Sequence, residues 1–297
     1  MDDIFTIAKP AAPLPLIFDS PHSGAAYPAD FDYACDFDML ARAEDKYVDE
    51  LFSCAPDFGG TLLCALFPRS YIDTNRAECD IDPDLLAAPW PDRSNPTARS
   101  DAGIGLIRRL VKPGMPVYNR PLRIAEVQKR IATCYHPYHD ALQTLIDEAH
   151  YNFGQVWHIN CHSMPTASAK PRQAIGLDGP YSKSVDFCLG DRDGTSCDRD
   201  GTSCASEFTH ELRDFIRSLG YTVSVNDPFK GVELVARHSQ PSRGRHSLQL
   251  EINKSLFMDE ESNIKSRNYD ALAADITRLI SFCAGFVESR LVDLAAD

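Results

Sequence analysis

The chain has 297 residues, 43% of them hydrophobic and 25% charged, the balance of an ordinary globular protein whose core needs no disulfide staples. A net charge of −13 excludes nucleic acid and acidic lipid as main partners, since both select basic surfaces, and leaves room for a small anionic ligand held by a few local arginines. No stretch approaches the roughly 18–20 apolar residues of a membrane span.

The opening MDDIFTIAKPAAPLPLIF is acidic and carries prolines, unlike a secretory signal. The ten cysteines are therefore expected as thiols in a reducing cytoplasm, and none forms a CxxC pair that would suggest a zinc ribbon. LPLIFD, residues 14–19, reads as a short buried strand ended by Ser20-Pro21. Leu40, Tyr47, Val48, Leu51 and Phe52 suit a helix over 38–54. Gly59-Gly60 precede a second strand, TLLCALF. Residues 84–100, rich in Pro, Ser, Asp and Asn, read as a surface loop. A helical region is expected over 101–111, a turn at Pro113-Gly114, and a longer helix over 137–150 with Pro137 in its first turn. VWHIN (156–160) and AIGLD (174–178) read as strands, FTHELRDFIRSLG (208–220) as an amphipathic helix with glycine just past its end. YTVSVN and HSLQLEIN read as strands and 266–292 as a closing helix. Strands alternating with helices predict one α/β domain over 1–297, its sheet mixed but mostly parallel and flanked by helices. Ligands of such sheets gather beyond the carboxyl ends of the strands.

Four polar clusters are expected there. SPHSG places His22 after the first strand. FPRSYIDTNR supplies Arg69, Asp73, Asn75 and Arg76. WHINCHSMP supplies His158 and His162, and HSLQLEINKS sets Glu251 between Leu250 and Ile252. Two histidines and a carboxylate make the three-ligand shell of a catalytic zinc, with Asp45 or Glu44 of AEDKYVDELF completing it. Such an ion acidifies its water, and Glu251 is the natural base, because a glutamate inside an apolar strand needs a reason to be there. Each feature also has a structural reading: a histidine after a strand can simply be hydrogen-bonded, and Glu251 could pair with an arginine. In a strand, His158 and His162 stand roughly 13 Å apart, so only His162 is assigned to the metal and His158 is structural. YHPYH (135–139) is assigned to capping or packing rather than metal.

SPHSG, DKYVDELF, FPRSYIDTNR, NCHSMP and LQLEINKSLFMDE, in this order over about residues 14–260, resemble the N-formylglutamate amidohydrolase family. That family is similar to zinc carboxypeptidases, aspartoacylase and succinylglutamate desuccinylase, which implies a phosphorylase/hydrolase-like α/β fold with one catalytic Zn2+, although cobalt, iron or manganese would suit the same donors. The resemblance implies His22, Asp45 and His162 as metal ligands, Glu251 as general base, Arg69 as the group polarising the scissile carbonyl, and Asn75-Arg76 as the holder of a substrate carboxylate. The related carboxypeptidases carry a glutamate three residues after the first histidine, where this chain has Ala25, and the family pattern has an aspartate where this chain has Asn160. N-formyl-L-glutamate carries two carboxylates, and arginine suits both. Arg237, Arg243 and Arg245 of VARHSQPSRGRH are further candidates, Arg237 and Arg245 foremost. The implied reaction releases formate and L-glutamate, in histidine degradation.

DRDGTSC occurs twice in tandem, at 191–197 and 198–204. As a calcium loop it fails, because position 12 is Thr202 rather than glutamate. The family pattern has one GDR-x-GTSC segment, so the second copy reads as an in-frame duplication in a surface loop, with Asp191 and Arg192 of the first copy expected near the site. A zinc deacylase of N-succinylglutamate or N-acetylaspartate type is the alternative function. A redox protein using its cysteines is another class, for which Glu251→Gln would be silent and thiol state decisive.

Overall fold

The computed structural model describes residues 3–171, 184–192 and 203–296. In chain order it contains β1 (Phe5–Ala8), β2 (Leu16–Ser20), α1 (Phe37–Ala41), α2 (Val48–Leu51), β3 (Thr61–Ala65), α3 (Ala98–Asp101), β4 (Leu110–Lys112) and β5 (Met115–Pro116). Then follow α4 (Ile124–Arg130), α5 (His136–Phe153), β6 (Val156–Met164), β7 (Phe187–Gly190), α6 (Ser206–Ser218), β8 (Val223–Val225), α7 (Glu233–His238), β9 (Arg245–Asn253), β10 (Met258–Asp259), β11 (Ile264–Lys265) and α8 (Tyr269–Ala296). Two compact units emerge: Met1–Thr6, Pro21–Lys46 and Cys64–Leu142 form one, and Ile7–Ser20, Tyr47–Leu63 and Gln143–Asp297 the other.

A seven-stranded sheet runs in the order β1-β3-β2-β6-β9-β7-β8. β2, β6 and β9 are parallel neighbours, while β7 is antiparallel to β9 and parallel to β8. The mixed, mostly parallel α/β sheet expected from the sequence is what forms. Alternation along the central strands sorts their side chains. Leu16 and Phe18 of β2 register with Trp157 and Ile159 of β6, and Leu248, Leu250 and Ile252 of β9 continue that apolar face. α6 and α8 cover it: the Trp157 ring lies 5.0 Å from Phe208 and 5.1 Å from Phe286. α6 turns Phe208, Leu212 and Ile216 inward at four-residue spacing, so one helical stripe is buried and the rest meets water. The other face of the same strands carries Asp19, His158, Asn160, His162, Ser247, Gln249 and Glu251, every one buried.

In the first unit, the Arg130 guanidinium is fully buried among Phe31, Tyr71 and Tyr118, 4.2 Å from the Tyr71 ring centre, and donates to the Tyr71 carbonyl at 3.0 Å and the Tyr118 hydroxyl at 2.6 Å. Cation–π contact and charge-assisted hydrogen bonds stand in for a carboxylate partner there.

Three elements differ from expectation. The helix expected over 38–54 is broken into α1 and α2, because Asp45 N donates to the His22 carbonyl at 3.0 Å and Tyr47 sits in the left-handed region at φ 68°. The helix expected over 101–111 is absent. Gly103, at φ 77°, and Gly105, where a Cβ would come within 2.8 Å of the Asp80 carbonyl, interrupt it, and β4 begins instead at Leu110. The turn at Pro113-Gly114 does form, joining β4 to β5 with Gly114 at φ 79°. The helix expected over 137–150 continues backwards through a π-helical turn, Ile131–Tyr135, into α4, whose start is set by Arg123 N donating to Glu126 Oε2 at 2.8 Å. AIGLD lies outside the described residues, and so does most of the repeat.

Candidate functional site

His162 and Glu251 are Cα partners across β6 and β9, so their side chains stand side by side on the buried polar face. They lie within their strands rather than beyond them, because β6 runs on to Met164 and β9 to Asn253. Gln249, two residues back on the same face, donates Nε2 to Glu251 Oε1 at 2.8 Å and fixes that carboxylate. His162 Nε2 lies 2.7 Å from Asn160 Oδ1. Asn160 in turn donates Nδ2 to Asp19 Oδ1 at 2.8 Å, which makes Oδ1 of Asn160 the acceptor and places the His162 proton on Nε2. Asp19 also meets His158 Nε2 at 2.8 Å, and His158 Nδ1 meets Ser247 Oγ at 2.7 Å. Burial opposes ionisation of Asp19, yet His158 and the Asn160 donor hold its carboxyl below the usual range. His158 is thus tied into this row through Asp19 and Ser247.

A second set of polar groups belongs to the segments after β2 and β3. His22 Nε2 lies 2.8 Å from Asp73 Oδ1, and its Nδ1 3.3 Å from Asp45 Oδ2. Arg69 donates to Asp73 Oδ2 at 2.9 Å through Nη2 and reaches Asp45 Oδ1 at 3.5 Å through Nη1. Asp73 also accepts from Asn75 N at 2.9 Å. Burial works against the Asp73 carboxylate, but Arg69, then His22 and Arg76, hold its pKa well below the ordinary value. Arg76 donates to the Asn75 carbonyl at 2.8 Å and the Ile104 carbonyl at 3.2 Å, and burial lowers its pKa to about 10. YHPYH steadies this turn: Tyr135 donates to the Arg76 carbonyl at 2.9 Å, and His139 Nε2 meets the Thr74 carbonyl at 2.9 Å. That is a packing role for both residues.

His22, Asp45 and His162 are all buried, and one ligand atom from each falls within 4.8 Å of the others, a donor set that could hold a metal ion. Glu44, the other carboxylate of AEDKYVDELF, instead accepts from the Tyr27 hydroxyl at 2.5 Å.

Residues 14–258 match the N-formylglutamate amidohydrolase family. The chain belongs to the N-formylglutamate amidohydrolase family. As an amidohydrolase of this family it is a hydrolase. Among solved structures, N-formylglutamate amidohydrolase from Ralstonia eutropha JMP134 is 42% identical with a TM-score of 0.88, covering 96% of this chain and 99% of that one. N-formylglutamate deformylase from Pseudomonas putida is 28% identical over 83% of each chain, and that from Pseudomonas aeruginosa 25% over 94% of each. A gene product of Agrobacterium tumefaciens, 18% identical with a TM-score of 0.66 over 97% of this chain and 95% of that one, shares the fold.

In this amidohydrolase-family chain the late arginines go elsewhere. Arg245 opens β9, six residues and roughly 20 Å of strand from Glu251, and pairs with Asp147 at 2.5 Å. Arg237, its side chain 41% exposed on α7, faces Glu233 at 3.9 Å. Arg243 ends a short 3-10 turn, where its carbonyl lies 2.7 Å from His150 Nε2. β7 is antiparallel to β9 and reaches Gln249 at Gly190, so Asp191 and Arg192 leave the sheet heading away from Glu251. Ser203 and Cys204, of the second repeat copy, are buried; Ser203 N donates to the Asp191 carbonyl at 2.7 Å and Ser203 Oγ to the Ser247 carbonyl at 2.8 Å. Two members of the polar groups carry no role in the sequence reading. Asp19 was visible by the rule that singles out Glu251, a carboxylate inside an apolar strand. Asp73 was visible only as one of several polar residues in FPRSYIDTNR.

Proposed function

We propose that this chain hydrolyses N-formyl-L-glutamate to formate and L-glutamate, with a zinc ion held by His22, Asp45 and His162. The convergence of these three buried donors within 4.8 Å carries the reading, together with family membership. The donors suit such an ion chemically: each histidine engages its Nε2 with an oxygen, Asp73 for His22 and Asn160 for His162, which turns Nδ1 toward the role of ligand. The bound ion supplies Lewis acidity, which polarises the formyl carbonyl and acidifies water.

The chain's own residues do the rest. Glu251, beside His162 and fixed by Gln249, takes a proton from the attacking water and returns it to the leaving amine nitrogen as the C–N bond breaks. Arg69, part exposed but anchored by Asp73, donates to the oxygen that gains charge as the carbonyl becomes tetrahedral. Asn75 and Arg76 hold the substrate α-carboxylate, on a turn kept in place by Tyr135 and His139. The whole chain is proposed as one amidohydrolase module. The nine cysteines of the described residues are free thiols and no described helix is long and apolar enough to cross a membrane, in keeping with a cytoplasmic enzyme of histidine degradation.

The test is formate release from N-formyl-L-glutamate by purified protein, untreated, chelator-treated, and reloaded with zinc. Activity that falls with the chelator and returns with zinc supports the reading. Hydrolysis of N-acetyl-L-aspartate or N-succinyl-L-glutamate in preference to the formyl compound would move it to the other acyl groups.

A further inference from the structure

Four arginines crowd the turn after β3 and the approach to β4, and three of them are committed within the protein. Arg69 donates to Asp73 and Asp45. Arg76 donates to two carbonyls and faces Asp73 at 4.0 Å. Arg109 donates to Asp82 at 2.6 Å, with Asp84 at 3.8 Å. The fourth, Arg108, is only part exposed, and among the described residues its guanidinium has neither a hydrogen bond nor an ion pair.

Its position is set by the backbone. Asp73 N donates to the Leu106 carbonyl at 2.9 Å, Leu106 N to the Asp80 carbonyl at 3.0 Å, and Arg76 Nε to the Ile104 carbonyl. Gly105 fits so closely over Asp80 that no side chain could replace its hydrogen. The stretch 104–108 is therefore laid along the 73–80 turn, and Arg108 stands in the field of Arg69, Asp73, Arg76 and Asp45. Burial first, then repulsion by Arg69, lowers the Arg108 pKa to about 10, so it remains a cation at neutral pH. A guanidinium partly stripped of water, beside two others and without a carboxylate of its own, gains most when an anion arrives.

We propose that Arg108 is the receptor for the side-chain carboxylate of the substrate, and so sets the preference for an acidic acyl-amino acid. The assignment rests on the reading of Asn75-Arg76 as holder of the α-carboxylate. It replaces Arg237 and Arg245, whose guanidinium groups face Glu233 and Asp147.

Calorimetric titration of the zinc-loaded protein with glutarate and with its monoamide, glutaramate, tests this. The native protein is expected to bind the diacid about 30-fold more tightly, the ratio given by one forked charge-assisted pair. Arg108→Gln should bring the two ligands to near parity, and Arg109→Gln should keep the native ratio. Kinetics should show the same loss, mainly in KM, when N-formyl-L-glutamate is compared with N-formyl-L-glutamine. A folded Arg108→Gln protein that keeps the diacid preference overturns the proposal, as does a native protein that shows none. Where Arg108→Gln does not fold, Arg108→Lys keeps the charge and loses the fork. It should then show an intermediate ratio, and a native ratio would overturn the proposal. A protein that prefers glutarate through Arg108 but releases no formate retains this receptor and loses the deformylase reading.

Discussion

The row of polar side chains on the sheet and the arginine–aspartate cluster of the loops solve the same problem by different means. In the row, position is inherited from strand register: Asp19, Asn160 and Gln249 lie across three parallel strands, and His162 and Glu251 follow one step along. In the cluster, nothing repeats. His22, Asp45, Arg69 and Asp73 come from irregular backbone and hold one another through hydrogen bonds of 2.8–3.5 Å. The row is stiff because its backbone is a central sheet, whereas the cluster is stiff only as long as its charges balance. His162 and Glu251 draw on the first kind of support, and His22, Asp45 and Arg69 on the second.

The largest break in this comparison is expected at Glu251. Glu251→Gln should lower kcat by about 10²–10⁴-fold while leaving bound zinc and thermal unfolding close to native, since the amide keeps the shape and loses the proton chemistry. Metal analysis and melting curves alongside kinetics check this. Next comes Asn160→Ala, which removes the oxygen that receives the His162 proton and leaves Asp19 without its Asn160 donor. Zinc affinity in a chelator competition should drop about 10–100-fold, and an unchanged affinity would show that the row does not orient His162. In the loop cluster, Tyr135→Phe loses one hydrogen bond to the Arg76 carbonyl, about 1 kcal/mol, and should raise KM several-fold with little change in kcat.

A smaller effect belongs to the apolar side of the same sheet. His246 stacks on Trp157 at 4.0 Å, and burial lowers its pKa to about 4. The unfolded chain, with histidine near 6.5, binds this proton first, so stability falls as pH drops from about 6.5 toward 4. His246→Phe should flatten the melting temperature across that window. The smallest effect is expected from deleting 198–204. Ser196-Cys197 then take the place of Ser203-Cys204 ahead of Ala205, and both melting temperature and activity should stay near native.

The sheet-borne groups were legible because alternation is local. WHINCH already separates Trp157, Ile159 and Cys161 from His158, Asn160 and His162, and a buried carboxylate between Leu250 and Ile252 marks Glu251. The loop-borne groups were legible only through motif order, since no periodicity tells Asp45 from Glu44. The break in the helix expected over 38–54 depends on the bond from Asp45 N to the His22 carbonyl, a contact across 23 positions that no local pattern encodes. Arg237 and Arg245 stand near Glu251 in sequence only, because an extended strand carries residues six positions apart far from one another, and their guanidinium groups face Glu233 and Asp147. Arg108 and Arg109 are indistinguishable as neighbours in IRRL, and only the fold gives Asp82 to one of them.

The bond from Ser203 N to the Asp191 carbonyl joins two described residues on either side of residues 193–202. A bond between those two residues sets no length for the chain that links them. Adding or dropping one seven-residue unit between them is therefore expected to leave the strands that carry His162 and Glu251 unchanged. A foreign peptide spliced between the same two residues is expected to leave His162 and Glu251 in place.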